Sequence, residues 1–172
     1  MTEFGSLFAW KPVEQVRRNH ALEHATLHIL AKKHTNQFLA GHSDWRGIRI
    51  IGDIPTEEIQ QAVDEALVRL QAGERRLAYH PNCGTNFTVM GAMAGLAAWT
   101  GLLGSGRSTR DRLARLPLVM LLATIALIVT RPLGPFLQQY VTTDANPGTL
   151  KVIEIQRHDF AHFVLHRIYT HA

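Results

Sequence analysis

The chain of 172 residues has a single cysteine, Cys83. No intrachain disulfide is possible, so a small disulfide-stapled scaffold is excluded and nothing argues for an oxidising compartment. The first half also lacks a charge surplus. Residues 1–85 carry ten Lys and Arg against ten Asp and Glu. No stripe of interleaved basic and aromatic residues exists of the kind single-strand binders use, so nucleic acid is not an expected partner. The opening MTEFGSLFAWKPVEQ lacks a basic n-region and has only a short apolar stretch, so it is not expected to be a cleaved leader. Its Phe4, Leu7, Phe8 and Trp10 instead suit an anchor in the lipid headgroup zone, where aromatics are favoured. No apolar run reaches about 20 residues without interruption.

What is present is unevenly placed. The net charge of +4 comes from Arg107, Arg110, Arg112 and Arg115, which lie between two apolar runs. The first run extends from Phe87 to Leu103 and contains GAMAG, a spacing of small residues that lets helices approach closely. The second extends from Leu116 to Thr130 and continues past Arg131-Pro132 into LGPFLQQYV. Their length alone leaves open a pair of buried core helices. Because they are consecutive, nearly uncharged and joined by an Arg-rich loop, they are expected to form a transmembrane or deeply embedded hairpin.

Around this hairpin the periodicity predicts a small mixed domain. Pro12 opens a helical pattern over 12–34, with Val13, Val16, Leu22, Ala25, Ile29 and Leu30 on its apolar stripe. Residues 35–46 look like a loop. Ile48–Ile51 reads as a strand, and Thr56 reads as the N-cap of a helix reaching about Gln71, with Glu57 and Glu58 at its positive end. RRLAYH predicts a second strand over 76–80, giving a βαβ unit with parallel strands. LKVIEIQ, from Leu150, alternates like a third strand, and RHDFAHFVLHRIYTHA reads as an amphipathic helix. The expected fold class is α/β (α+β): a βαβ-containing domain with an inserted two-helix transmembrane hairpin and a C-terminal amphipathic helix. The expected regions are a metal-binding α/β part over 1–85, the hairpin over 86–135, and a strand with a His-rich helix over 136–172 that packs with the first part.

Histidine is abundant, with ten residues. His20, His24 and His28 are spaced i, i+4, i+8 and share one helix face, and HALEH at 20–24 has the H-x-x-E-H pattern of inverzincins. In that pattern two His bind zinc and the Glu, here Glu23, acts on water. His80-Pro-Asn-Cys83 adds an imidazole and a thiol in one turn, and zinc accepts both. His20, His24, His80 and Cys83 are therefore the candidate ligands, a nitrogen and sulfur set that suits zinc over magnesium or calcium. Four protein ligands would make a closed structural site. Three would leave a position for water, with Glu23 as general base. Cys83 as a nucleophile activated by His80 or His24 is a further option. His158, His162 and His166 repeat the spacing, either as a second metal site with Asp159 as a supporting partner, as the source of a ligand to the first site, or as the rim of a helix lying on the membrane, the favoured reading. His34 and His42 look like surface residues without partners.

HALEH and HPNCGTN at 80–86, ahead of an apolar hairpin, resemble an uncharacterised family of bacterial membrane proteins over roughly residues 17–155. The resemblance implies a membrane location and the importance of both motifs, and it supplies no reaction. The expected protein is an integral protein of the inner membrane whose partners are the bilayer and a membrane protein or peptide substrate. The Arg-rich loop argues for a cytoplasmic loop. The lone thiol and the lack of a leader argue instead for a cytoplasmic soluble part, which is the orientation adopted. Three functions compete: a zinc-dependent hydrolase, a non-catalytic accessory or assembly factor with a structural metal, and a tetrapyrrole protein using paired His as axial ligands.

Overall fold

The computed structural model describes residues 10–171. The expected anchor residues Phe4, Leu7 and Phe8 lie outside that range. The chain forms two compact units. One comprises the residues up to His80 together with those from Gln139 onward, and the other is Pro81–Gln138.

In the first unit, helix α1 spans Lys11–Lys33. Pro12 sits in its first turn, where a missing N–H costs nothing. Ala21, Leu22, Ala25, Ile29 and Leu30 are buried at helical spacing. Strands β1 (Ala40–Asp44) and β2 (Gly47–Ile51) pair as a hairpin through the two-residue turn Trp45–Arg46. The expected loop over 35–46 therefore contains a strand. Its sequence AGHSD has no β-branched or aromatic residue, so propensity did not announce it. Helix α2 spans Thr56–Gln71 and buries Ile59, Ala62, Val63, Ala66 and Leu70. Pro55, not Thr56, holds its N-cap position.

The expected strand over 76–80 is a 3-10 turn, Arg75–Ala78. The carbonyls of Ala78 and Tyr79 receive hydrogen bonds from histidines of α1, not from a strand. The parallel βαβ unit is therefore absent. Strands β3 (Lys151–Asp159) and β4 (Val164–His171) complete a four-stranded antiparallel sheet of order β1-β2-β4-β3. The expected C-terminal amphipathic helix is instead the end of β3, a turn closed by Phe160 N–H donating to Phe163 O at 2.9 Å, and β4. Val, Leu, Ile, Tyr and Thr in β4 favour the pleated surface.

This pairing dissolves the second histidine ladder. His158 faces Leu165 across the hairpin, His162 lies in its turn, and His166 pairs with Ile50 on the face that carries Ile48 and Ile168. Asp159 pairs with Arg157 at 2.8 Å. His34 and His42 do have partners: Glu58 Oε2 lies 3.0 Å from His34, and Arg49 lies 3.3 Å from His42.

The second unit contains helices α3 (Gly84–Leu102), α4 (Thr109–Ala114), α5 (Leu116–Thr130) and α6 (Leu133–Leu137). α3 packs along α5, and a Cβ on Gly101 would come 3.1 Å from Val119. Gly91 and Gly95 of GAMAG meet nothing within 4 Å, so the expected close approach occurs at Gly101 instead. Trp99, Leu96, Met120, Leu121, Ile128 and Val129 are exposed. Among the described residues no single helix is long and apolar enough to cross a membrane. Leu116–Thr130 with Leu133–Thr142, bent by 46°, passes that test as a pair.

Two predictions follow from the sheet unit. Asn19 is fully buried. Its amide donates to Asp44 O at 2.7 Å, and its Oδ1 accepts from the Thr170 hydroxyl at 2.6 Å. Asn19→Ala strands both partners and is expected to cost about 2–3 kcal/mol, read as a lower urea midpoint at unchanged slope. His166 is also fully buried, its Nδ1 has no hydrogen-bond partner, and its Nε2 lies 3.4 Å from the Thr56 hydroxyl. Burial, aided by Arg157 and opposed by Asp159 and Asp53, pushes its pKa below the ordinary 6.5. The unfolded chain then takes up this proton before the folded one does. The resulting stability is complete above pH 6.5 and declines as pH falls from there toward the lowered value. Urea midpoints measured against pH are expected to show this decline in the wild type and a flatter acid limb in His166→Leu.

Candidate metal centre

α1 brings three imidazoles into one row because four residues make slightly more than one turn. Each ring is then fixed by a backbone carbonyl from elsewhere in the same unit. His20 Nδ1 lies 3.0 Å from Thr142 O, at the end of a π turn over Gln138–Thr142. His24 Nδ1 lies 2.7 Å from Ala78 O. His28 is turned the other way, with Nε2 2.8 Å from Tyr79 O.

A carbonyl only accepts, so the ring nitrogen facing it carries the proton. In the neutral rings of His20 and His24, Nε2 therefore holds the lone pair. Their ring centroids are 4.3 Å apart, and their ligand nitrogens lie within 4.8 Å of one another. Metal-binding histidines are oriented in the same way, by donating the second N–H to a carbonyl. His28 has the opposite tautomer.

His80 follows the 3-10 turn and stands over the same row. Its ring lies 4.7 Å from that of His28 and 5.8 Å from that of His24. Burial, and then the nearby His28, lowers its pKa below 6.5, favouring the neutral ring. The rings thus adjoin in series, His20 beside His24, His24 near His80, and His80 beside His28. Cys83 is buried and occupies the N-cap of α3 in the second unit.

Glu23 is 5% exposed and faces β1. A Cβ at Gly41 would come 2.5 Å from Glu23 Oε1 and 2.7 Å from its Cγ, so this glycine makes room for the carboxylate. Gly41 and the carbonyls of Ala78, Tyr79 and Thr142 were not legible as parts of the site. A carbonyl has no residue-type signature, and AGHSD carries no motif.

The family described as a domain of unknown function (DUF6391) matches residues 15–155. An uncharacterized protein of Picosynechococcus sp. is 35% identical over 154 residues, covering 82% of this chain and 71% of the relative. No solved structure matches. The matched residues include α1 from Gln15 onward, the HPNC turn and the whole of the second unit. They end within β3.

The contact between Glu23 and Gly41 yields a test by double-mutant cycle. Gly41→Ala alone is expected to cost about 1–3 kcal/mol by overpacking. Combined with Glu23→Ala it should cost less than the sum of the two single changes, with a coupling of at least about 0.5 kcal/mol in chemical denaturation.

Proposed function

We propose, from the premise that the chain belongs to the DUF6391 family of unknown function, that it is a membrane-held zinc hydrolase, most directly a peptidase acting on a membrane-borne protein or peptide. The observation that carries this reading is the shared tautomer of His20 and His24. Two neighbouring rings on one helix both present Nε2 lone pairs, each held by a carbonyl. Carbonyl bonds also satisfy burial, and the metal reading rests on the two rings being adjacent, with ligand nitrogens within 4.8 Å of one another.

The donors fit zinc. His20 and His24 supply imidazole nitrogens, and the HPNC turn adds His80 and, three residues on, Cys83. Neutral imidazole and thiolate suit zinc and give poor sites for magnesium or calcium. Zinc held there supplies Lewis acidity at neutral pH. In this reading His20 and His24 bind and orient, one or both of His80 and Cys83 complete the set, and the Glu23 carboxylate accepts a proton. Gly41 keeps that carboxylate in its place on the helix flank.

The membrane part of the reading rests on the second unit. α3 and α5 contain no charged residue, and their Leu, Met, Trp and Ile side chains are exposed. The bent pair Leu116–Thr130 and Leu133–Thr142 supports this part by length and composition. The proposed location is the inner membrane, with the sheet unit in the cytoplasm.

One observation favours a second reading, a non-catalytic accessory protein with a closed structural metal. Both His24 and Glu23 are almost fully buried. Elemental analysis of the full chain purified in detergent separates the outcomes. About one zinc per chain is expected, lost in His20→Ala and His24→Ala. Wild-type protein without metal sinks both readings, and a Soret band would replace zinc with a tetrapyrrole. Glu23→Gln is expected to retain zinc and lose cleavage of a quenched fluorescent peptide library. Metal-loaded wild-type protein that cleaves nothing leaves the structural reading standing.

A further inference from the structure

The β1–β2 turn carries a second candidate site, remote in kind from the histidines. A cavity of about 370 Å³ opens beside it, lined among others by Lys11, Trp45, Arg46, Ile153, Tyr169 and His171. Lys11, Arg46 and His171 are basic, and no carboxylate lines the cavity. Among the described residues neither Lys11 nor Arg46 has an ion-pair partner. The nearby Asp44 is already engaged, with one oxygen on Arg49 at 2.7 Å and the other on Arg167 at 2.8 Å. Positive charge is thus left facing the cavity without a counterion among the described residues.

The same place exposes apolar surface. Trp45 is 57% exposed and Ile153 64%. The Arg46 guanidinium lies 4.5 Å over the Trp45 ring, and Arg167 lies 5.0 Å from the Tyr169 ring. The turn is braced from behind. Asp44 Oδ1 accepts from Arg46 N–H at 2.8 Å, and Arg46 O accepts from Thr170 N–H at 3.0 Å. The cations and the indole are therefore presented on a fixed frame.

We propose that this cavity binds the headgroup of an anionic phospholipid. Lys11 and Arg46 hold the phosphate, while Trp45 and Ile153 meet the glycerol and upper acyl region. Basic residues beside interfacial Trp have this preference. A free phosphate ester shares the charged chemistry but makes no use of the exposed indole and isoleucine. Another cavity of the sheet unit, about 430 Å³ between Phe38, Phe160 and Phe163, includes Asp53 and would repel the same headgroup. The site uses none of the residues assigned to zinc, so it stands or falls separately from the hydrolase reading.

The test uses the full chain in neutral maltoside micelles, read by tryptophan emission. Short-chain phosphatidylglycerol is titrated against phosphatidylcholine of equal chain length and against glycerol 3-phosphate. A saturable shift with phosphatidylglycerol alone is expected. It should vanish in Trp45→Phe, which leaves Trp10 and Trp99. Arg46→Ala and Lys11→Ala should each weaken it about fivefold, with unchanged circular dichroism showing that the fold survives. An equal response to phosphatidylcholine would reduce the cavity to apolar partitioning. An equal response to glycerol 3-phosphate would make the ligand a free anion. Wild-type affinity in both cation variants, or no shift at all, overturns the proposal.

Discussion

The sheet unit depends on satisfying the polar groups that α1 buries. Asn19, Glu23, His24 and Thr26 all lie inside the fold on this one helix. An unsatisfied buried group costs about 1–3 kcal/mol. Thr26 meets its need locally, donating to Leu22 O at 2.8 Å. The other groups draw on distant segments. Asn19 reaches β1 and β4, His24 reaches the 3-10 turn, and Glu23 presses against β1. The polar face of α1 thus determines where three other elements lie, and its apolar stripe fills the space between them. The groups that organise the unit are the same ones, or the immediate neighbours of those, that could hold a metal.

Legibility followed the range of the interactions. α1 and α2 could be read because their apolar period, opening proline and terminal charges are written within about 20 residues. β2 and β3 have β-branched runs that mark them directly. β1 has none, and only its partner makes it a strand. The segment 76–80 has strand-like composition, but its carbonyls are claimed by His24 and His28, a demand visible only once α1 is packed. The end of the chain failed for a different reason. His158, His162 and His166 happen to match a helical ladder, while the residues between them match a hairpin equally well. Pairing with β2 decided the outcome. At the site, the side-chain donors were readable, and the carbonyls and glycine that set their orientation were not.

The boundaries of the family match add a distinction. α1 from Gln15 onward, the HPNC turn and the second unit fall within residues 15–155. β4 lies beyond, although it is an inner strand of the sheet and contributes Ile168 and Thr170 to the interior. The histidine row and its helix are therefore common ground with the family. The lipid-facing proposal draws on Trp45, Arg46 and Ile153 inside the match and on Lys11, Tyr169 and His171 outside it.

The order of the strands has a consequence for biosynthesis. β2 pairs with β4, and Ile48 meets Ile168, 120 positions further along the chain, with the entire apolar unit between them in sequence. A ribosome therefore releases α1, β1, β2 and α2 while one side of β2 still lacks its neighbour. That open edge persists until the second unit has been made and placed. Long-range pairing of this kind is slow and leaves a nascent chain prone to association with others. Early covering of the apolar segment would shorten the wait by removing the competing hydrophobic surface. The sheet would then close late in synthesis, around a histidine row already mounted on its helix.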